Sequence, residues 1–264
     1  MPKLELPTVT LCAAASVNVA STISALRTCL DQAEFAECLL FTDAPVGDLD
    51  PSIRLAPIKR LRSASDYSKF VLEELLDHIR TEHCLIVQWD GFVLDKSAWQ
   101  AEFLSFDYIG APWPQFPDGL DVGNGGFSLR SRKLLQACRD SRFKGDHPED
   151  LAICRANRSL LEDQYGIRFA DRTTAERFAF ERTKPPGPAF GFHGIFNMIP
   201  VLGADRFWEL YRSLDDRKTA LVDYRLLMRQ LGSGRNVLRR RARLTRDVLQ
   251  LLLQSRRRVT DQAT

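Results

Sequence analysis

Acidic, amide and imidazole side chains stand at several points of this chain where they could bind a cation or accept a proton. The first point is the turn after the apolar run 85–87, where Gln88 and Asp90 precede a glycine. Oxygen atoms of this kind are the ligands that hard cations such as Mg2+ and Mn2+ prefer. An ordinary strand followed by a capping aspartate has the same pattern, so this stretch alone leaves both interpretations open.

Three further candidates follow later in the chain. Residues 123–126 read Gly-Asn-Gly-Gly before an apolar strand, which indicates that another group approaches the backbone closely, although a tight Asn-Gly hairpin is the simpler alternative. Glu149 and Asp150 open a predicted helix, where they could accept a proton or only complement the helix dipole. His193 lies in a loop of glycines and aromatic residues, where it is a ligand or a structural histidine.

The elements that must position these residues alternate between strands and helices from the start of the chain. This alternation predicts an α/β fold with a mostly parallel sheet flanked by helices, whose ligands bind outside the carboxyl ends of the strands. No G-x-G-x-x-G follows the first strand, which argues against a dinucleotide cofactor. The predicted strands are 8–15, 37–41, 53–58 and 84–89, and the predicted helices between them are 19–31 and 66–79.

Composition predicts an ordinary globular protein of the cytoplasm. The 264 residues, 44% of them hydrophobic, are enough for one large domain with an appendage, and no apolar run reaches the length of a bilayer span. The amino-terminal residues lack the apolar core of a secretory signal. The six cysteines form no C-x-x-C pair, which favours reduced thiols over a disulfide or zinc framework.

Charge is distributed unevenly along the chain. Residues 235–264 contain nine Arg and two Asp, a net charge of +7, so the remaining residues sum to −4 within the total of +3. We predict a catalytic domain over 1–215 and a helical, Arg-rich extension over 216–264. The extension favours docking at an anionic membrane surface, or packing on the catalytic domain or on a second subunit of a homo-oligomer. Nucleic acid is disfavoured because the extension lacks interleaved aromatic residues.

The order of these motifs resembles the GT-A family of nucleotide-sugar-dependent glycosyltransferases. That family has a D-x-D metal motif, a glycine-rich loop, an x-E-D motif and a late metal-binding histidine, and Gln88 here replaces the first Asp. More narrowly, four stretches within roughly residues 8–200 resemble the bacterial DUF5672 family, a set of proposed glycosyltransferases. These stretches are Gln-Trp-Asp-Gly-Phe-Val at 88–93, Asp-Tyr-Ile-Gly-Ala-Pro-Trp at 107–113, Gly-Asn-Gly-Gly-Phe-Ser-Leu-Arg-Ser at 123–131 and Phe-Gly-Phe-His-Gly at 190–194.

The resemblance implies a metal-dependent enzyme that moves a sugar from a nucleotide-sugar donor to a glycan or lipid-linked acceptor in bacterial surface-polysaccharide synthesis. Asp90 and His193 would hold the divalent metal, Mn2+ or Mg2+. Asp150 would be the general base of an inverting displacement, with Glu149 as the weaker catalytic candidate. The matching motifs make Gln88, Asn124, Gly125 and Gly126 expected donor-binding residues. Ser16, Asp43 and Lys69 join them because they fall at strand ends or helix starts on the presumed ligand edge, where Ser16 and Asp43 would bind the nucleoside and Lys69 a phosphate.

Two other functions stay open on the same fold. One is a catalytically inactive protein that binds sugar nucleotides or glycans, since Gln88 already departs from the D-x-D pattern. The other is a nucleotidyltransferase, although such enzymes usually carry a glycine-rich loop with basic residues after the first strand, and none is present here. The expected location is the cytoplasm, with peripheral attachment to the inner membrane as the consequence of the basic extension.

Overall fold

The computed structural model of the chain describes residues 2–261, and of residues 255–261 the backbone alone. The chain divides into two compact units, the first ending at His193 and the second beginning at Gly194. The predicted domain boundary lies between residues 215 and 216. It refers to independently folding domains rather than to compact units, and it stays a prediction.

A six-stranded sheet is the centre of the first unit. Its strands are β1 (Leu4–Ala14), β2 (Ala33–Thr42), β3 (Arg54–Pro57), β4 (His83–Val87), β5 (Tyr108–Ile109) and β6 (Phe127–Ser131). Their order is β3-β2-β1-β4-β6-β5, and every neighbouring pair is parallel except the two that involve β6. The predicted α/β fold with a mostly parallel sheet is confirmed.

Helices flank this sheet and a two-stranded ribbon completes the unit. The helices are α1 (Val19–Gln32), α2 (Ala64–Lys69, continued by a π-turn and a 3-10 turn to Asp77), α3 (Arg132–Ala137), α4 (Glu149–Leu151, continued by a π-turn to Ala156), α5 (Arg158–Tyr165) and α6 (Arg172–Phe178). Strands β7 (Ala179–Phe180) and β8 (Gly191–Phe192) pair in parallel. Helix α2 begins two residues before the predicted start at Asp66, because Asp66 is the third residue of a capping box that Ser63 opens.

The second unit is helical, as predicted for the Arg-rich end of the chain. Its helices are α7 (Ile195–Leu202), α8 (Ala204–Ser213), α9 (Lys218–Val222), α10 (Tyr224–Gln230) and α11 (Val237–Asp261). Helix α11 packs against α9 and α10, and its Leu244 and Val248 are buried. Among the helices of residues 2–261, none is both long enough and apolar enough to cross a bilayer.

Candidate functional site

Strand β4 carries the first candidate residues to the carboxyl edge of the sheet. All five of its residues are buried, because β1 and β6 pair with it on either side. Directly after it, the backbone N–H of Gly91 donates to the carbonyl of Gln88 at 3.1 Å, which closes a tight turn. Gln88 and Asp90 therefore lie where the strand ends, and Asp90 is buried.

The glycine-rich loop reaches the same edge because β6 runs against its neighbours. Val87 at the end of β4 pairs with Phe127 at the start of β6. The residues just before β6, Asn124 to Gly126, consequently lie beside the carboxyl end of β4. A parallel β6 would have put this loop at the opposite edge of the sheet.

Two sets of contacts position His193 beside Asp90. The backbone N–H of Leu94 donates to the carbonyl of Phe190 at 2.8 Å, and Val93 forms a bridge with Gly191. These contacts hold the segment that ends in His193 against the segment that begins at Asp90. The register of β7 with β8 pairs Phe180 with Phe192, so Glu181 lies opposite His193 one residue further on.

The two ring nitrogens of His193 have different surroundings. Nε2 lies 3.4 Å from Oδ1 of Asp90 and 3.2 Å from Oε1 of Gln88. Nδ1 lies 3.3 Å from Oε1 of Glu181 and 3.2 Å from the side-chain nitrogen of Asn124. Burial alone lowers the pKa of His193, but the carboxylates of Asp90 and Glu181 outweigh it and raise the pKa to about 10. The two carboxylates therefore favour the charged form of His193 when no metal ion is bound.

Protein side chains approach the glycine loop closely. A Cβ at Gly126 would lie 2.1 Å from Nε2 of His193, and a Cβ at Gly125 would lie 2.1 Å from Oε1 of Glu149. Any other residue at these two positions would displace the histidine or the glutamate. The close approach that the sequence predicts is thus present, and side chains of the site itself make it.

The acidic pair at the start of α4 is anchored to the loop and to β6. Oδ2 of Asp150 accepts the backbone N–H of Gly125 at 3.0 Å. Oε1 of Glu149 pairs with Nη2 of Arg130 at 3.0 Å, and both side chains are buried. Burial and the neighbouring Glu149 raise the pKa of Asp150 above that of an ordinary aspartate. The environment of Asp150 thus makes it a better proton acceptor than an exposed aspartate.

These side chains surround one cavity of about 370 Å3. Of the residues predicted from the sequence, Gln88, Asn124, Gly125, Gly126, Glu149, Asp150 and His193 line it. Asp90 is in contact with His193 behind that lining. Three predicted donor residues are not in the lining: the Ser16 hydroxyl accepts the N–H of Leu61 at 2.8 Å, Asp43 is exposed, and Lys69 is 3.8 Å from Glu73 in solvent.

Sequence reasoning missed several residues of the lining. Glu181 closes a short predicted strand and gives no separate signal. Trp113 ends one of the stretches that resemble the family but received no role, and Tyr67 belongs to the first turn of a predicted helix. His147 precedes the Pro-Glu-Asp stretch and could have been included with it. The missed members of the lining are Ala64, Tyr67, Trp113, His147, Pro148 and Glu181.

Two solved structures of glycosyltransferases are similar to parts of this chain. One is the structure of glucosyl-3-phosphoglycerate synthase from Mycobacterium tuberculosis in complex with Mn2+, UDP and glucosyl-3-phosphoglycerate. The match covers 62% of this chain and 68% of that protein, with 11% sequence identity and a TM-score of 0.42. The second is the structure of a glycosyltransferase involved in the glycosylation of the major capsid of PBCV-1. The match covers 78% of this chain and 100% of that protein, with 14% sequence identity and a TM-score of 0.42. No curated protein matches the sequence.

A family model matches residues 51–193, the stretch that contains the whole lining of the cavity. Ser16 and Asp43 are the predicted site residues that fall outside it. The match extends over more than half of the 264 residues, and the chain therefore belongs to the family described as a protein of unknown function, DUF5672.

Proposed function

We propose that this protein is a metal-dependent glycosyltransferase that moves a sugar from a nucleotide-sugar donor to a glycan or lipid-linked acceptor. One observation carries the proposal: residues from four separate motifs meet around a single cavity at the carboxyl end of β4. In open α/β sheets this is where ligands bind. The volume of about 370 Å3 suits a compact polar ligand such as a sugar ring.

The donor atoms around Nε2 of His193 fit a divalent cation. Oδ1 of Asp90 is buried and has no hydrogen-bond partner among residues 2–261, although it lies 3.4 Å from Nε2. Glu181 faces the other ring nitrogen, and such a carboxylate orients a metal-binding histidine by accepting its second N–H. Asp90, His193 and Gln88 would hold the ion. Bound there, a divalent cation supplies positive charge that stabilises a departing nucleoside diphosphate.

The ligand set is small by itself. Among residues 2–261 no group of three or more His, Cys, Asp and Glu side chains is placed to hold a metal ion. Asp90 and His193 provide one carboxylate and one imidazole, and Gln88 adds an uncharged oxygen. The remaining ligands would come from the donor diphosphate, so we expect weak metal binding without nucleotide and much tighter binding with it.

Asp150 is the proposed general base. Its Oδ2 is held by the backbone N–H of Gly125, so the carboxylate faces the glycine loop rather than the solvent beyond α4. A base at this position would take the proton of an acceptor hydroxyl as that hydroxyl displaces the diphosphate, which gives inversion at the anomeric carbon. Glu149 would act by orientation, since Arg130 and Ser68 already occupy its carboxylate.

Donor recognition by Ser16, Asp43 and Lys69 is part of the proposal. All three stand outside the lining of the cavity, and the environment of each also fits a local structural role. A structure with bound nucleotide tests whether these residues bind the donor. If the base and ribose do not contact them, they have only a structural role.

The test of the proposed function is the substitution Asp90→Asn. A screen of nucleotide sugars with Mn2+ or Mg2+ should identify a donor that raises the melting temperature of the wild type; a ligand at 100 times its Kd adds about 2.7 kcal/mol of stability. Asp90→Asn and His193→Ala should lose both this metal-dependent stabilisation and sugar transfer. Asp31→Asn, at an exposed site on α1, is the matched control. Full transfer by Asp90→Asn rejects the metal assignment.

The same screen separates the two alternative functions. A nucleotide sugar that stabilises the protein but is never consumed, with any acceptor or with water, identifies an inactive binding protein. Pyrophosphate released from a nucleoside triphosphate and a sugar phosphate identifies a nucleotidyltransferase.

We also propose that α11 contacts an anionic membrane surface, which would bring the site to a lipid-linked acceptor. Leu238 and Leu249 are eleven residues apart, about three helical turns, so they lie on one side of α11. They are 81% and 55% exposed, and Leu253 nearby is 59% exposed. An exposed apolar side bordered by arginines is typical of an interfacial helix. Arg256 to Arg258, which the sequence prediction included, lie outside the residues whose side chains the structure describes.

Co-sedimentation with vesicles tests the membrane contact. Leu249→Gln with Leu253→Gln should reduce binding to anionic vesicles by about tenfold or more, since burial of each leucine contributes about 1.5–3 kcal/mol. Val222→Gln, at another exposed apolar position of the second unit, should bind like the wild type. Equal binding by the double variant, or no binding by the wild type, rejects the contact.

A further inference from the structure

An arginine-rich cleft lies within the second unit, between α8 and the first turns of α11. Its volume is about 690 Å3 and it shares no lining residue with the cavity of the first unit. Two carboxylates line it, those of Asp205 and Glu209, against six guanidinium groups, which gives a net charge of +4. The arginines are Arg212, Arg235, Arg239, Arg240, Arg243 and Arg246.

The position of these arginines on α11 is electrostatically unfavourable for the protein alone. The amino-terminal end of a helix is the positive end of its dipole, where acidic groups are favourable and cations are not. Helix α11 has no acidic residue in its first turn, whereas Arg235 stands just before it and Arg239 within it. A bound anion would relieve the repulsion among the arginines and from the helix end together.

The carboxylates nearby leave part of this charge uncompensated. Oδ1 of Asp205 accepts Nη2 of Arg240 at 2.5 Å and the backbone N–H of Arg235 at 3.0 Å, which ties the start of α11 to the start of α8. Arg243 pairs with Asp247 at 3.1 Å. Arg212 and Arg239, by contrast, form no ion pair within the part of the chain that the structure describes.

Arg240 provides the second, independent sign of a ligand. Arg240 is only 6% exposed, and its buried Nη1 has no hydrogen-bond partner among residues 2–261. A buried guanidinium N–H without a partner is costly, and a ligand oxygen in the cleft would provide one. Trp208, whose ring centroid is 5.9 Å from the Arg240 guanidinium carbon, lines the same cleft.

We propose that this cleft is a binding site for a phosphate-bearing anion, a phosphomonoester or a diphosphate. Arginine suits this chemistry because its planar fork can donate two parallel hydrogen bonds to a phosphate. Arg212 and Arg239 are free to turn toward the ligand, and the buried Arg240 offers a fixed donor. The assignment does not depend on the proposed glycosyltransferase function, because it uses none of the residues of the first unit.

Titration with inorganic pyrophosphate in EDTA tests the site. EDTA removes metal-dependent binding of diphosphate elsewhere, and Trp208 is the only tryptophan of the second unit, so its fluorescence reports on the cleft. We expect a saturable fluorescence change that weakens with added salt and disappears in Trp208→Phe. Arg212→Gln with Arg239→Gln should weaken binding by about tenfold or more for each charge-assisted contact removed. Arg206→Gln, an exposed arginine of α8 outside the cleft, should bind like the wild type.

A vesicle arm distinguishes a soluble phosphate from a lipid headgroup. Pyrophosphate binding that the double arginine variant loses supports a soluble phosphate group. A lipid headgroup is supported if the wild type does not bind pyrophosphate but binds phosphatidic acid vesicles and not phosphatidylcholine vesicles. The double arginine variant should then lose binding to the phosphatidic acid vesicles. If the site binds a soluble phosphate, Leu249→Gln with Leu253→Gln should bind pyrophosphate like the wild type, because neither leucine lines the cleft. No binding of either probe by the wild type, or equal binding by the double arginine variant, overturns the proposal.

Discussion

Asp150→Asn is expected to reduce sugar transfer by on the order of 10²-fold or more while the affinity for the donor stays within a few-fold of the wild type. The single amide oxygen can still accept the backbone N–H of Gly125, as Oδ2 of Asp150 does at 3.0 Å, so the loop should keep its position. The N–H of Leu151 then loses the acceptor that Oδ1 provides at 2.8 Å. What the amide cannot do is take a proton from the acceptor hydroxyl. Single-turnover transfer measured beside donor-induced thermal stabilisation separates the two effects.

The pH profile gives a second readout for the same variant. Burial and Glu149 raise the pKa of Asp150, which means that its basic form is lost on acidification at a higher pH than for an exposed aspartate. In the wild type, the fall of kcat/KM on acidification should therefore begin at a higher pH than an exposed aspartate would give. In Asp150→Asn this fall should be absent. Asp163→Asn, at an exposed site on α5, should preserve the rate and the fall. Donor affinity that falls as much as the rate would move Asp150 to a binding role.

Glu149→Gln separates the two members of the acidic pair. If Glu149 orients α4 through Arg130 and Asp150 reacts, Glu149→Gln should retain more transfer at saturating donor than Asp150→Asn. The reverse order would exchange the two roles.

The fold was largely predictable because its strongest signals are local. Four of the five buried residues of β4, Cys84 to Val87, are apolar, and Gln88 and Asp90 follow them, so both the strand and the edge that it reaches can be predicted from the local sequence. The helical character of α11 follows from its periodicity in the same way. Which of its sides is buried does not follow, because Leu251 to Leu253 form an unbroken apolar run and Arg240 lies among the buried residues.

The convergence of the site depends on a direction that the sequence does not specify. A buried five-residue strand such as β6 looks the same whether it runs parallel or antiparallel, yet only the antiparallel direction puts Asn124 to Gly126 beside the end of β4. Glu181 reaches His193 through a pairing of two-residue strands, which are too short for any periodic pattern. Arg130 would be placed on a solvent face by its charge, since its neutralising partner, Glu149, lies 19 residues further along the chain.

Arg130→Met is expected to destabilise the first unit by about 3–5 kcal/mol, because it leaves the carboxylate of Glu149 buried without a positive partner. The side chain of Arg130 is 0% exposed and that of Glu149 is 6% exposed, so water cannot replace the lost contact. Oε2 of Glu149 would keep only the hydroxyl of Ser68 at 3.3 Å. Urea unfolding followed by tryptophan fluorescence measures the loss, since Trp89, Trp99 and Trp113 all belong to this unit.

The double variant Arg130→Met with Glu149→Gln shows whether the loss comes from the stranded charge. Removing both charges should cost less than the sum of the single substitutions, because no buried ion is left unpaired. Arg139→Met, which breaks the solvent-exposed pair of Arg139 with Asp77, should change stability far less. If Arg130→Met unfolds no more easily than Arg139→Met, or if the single effects simply add, the buried pair does not hold Glu149 in place. Asp150 would then owe its position to the backbone N–H groups of Gly125 and Leu151.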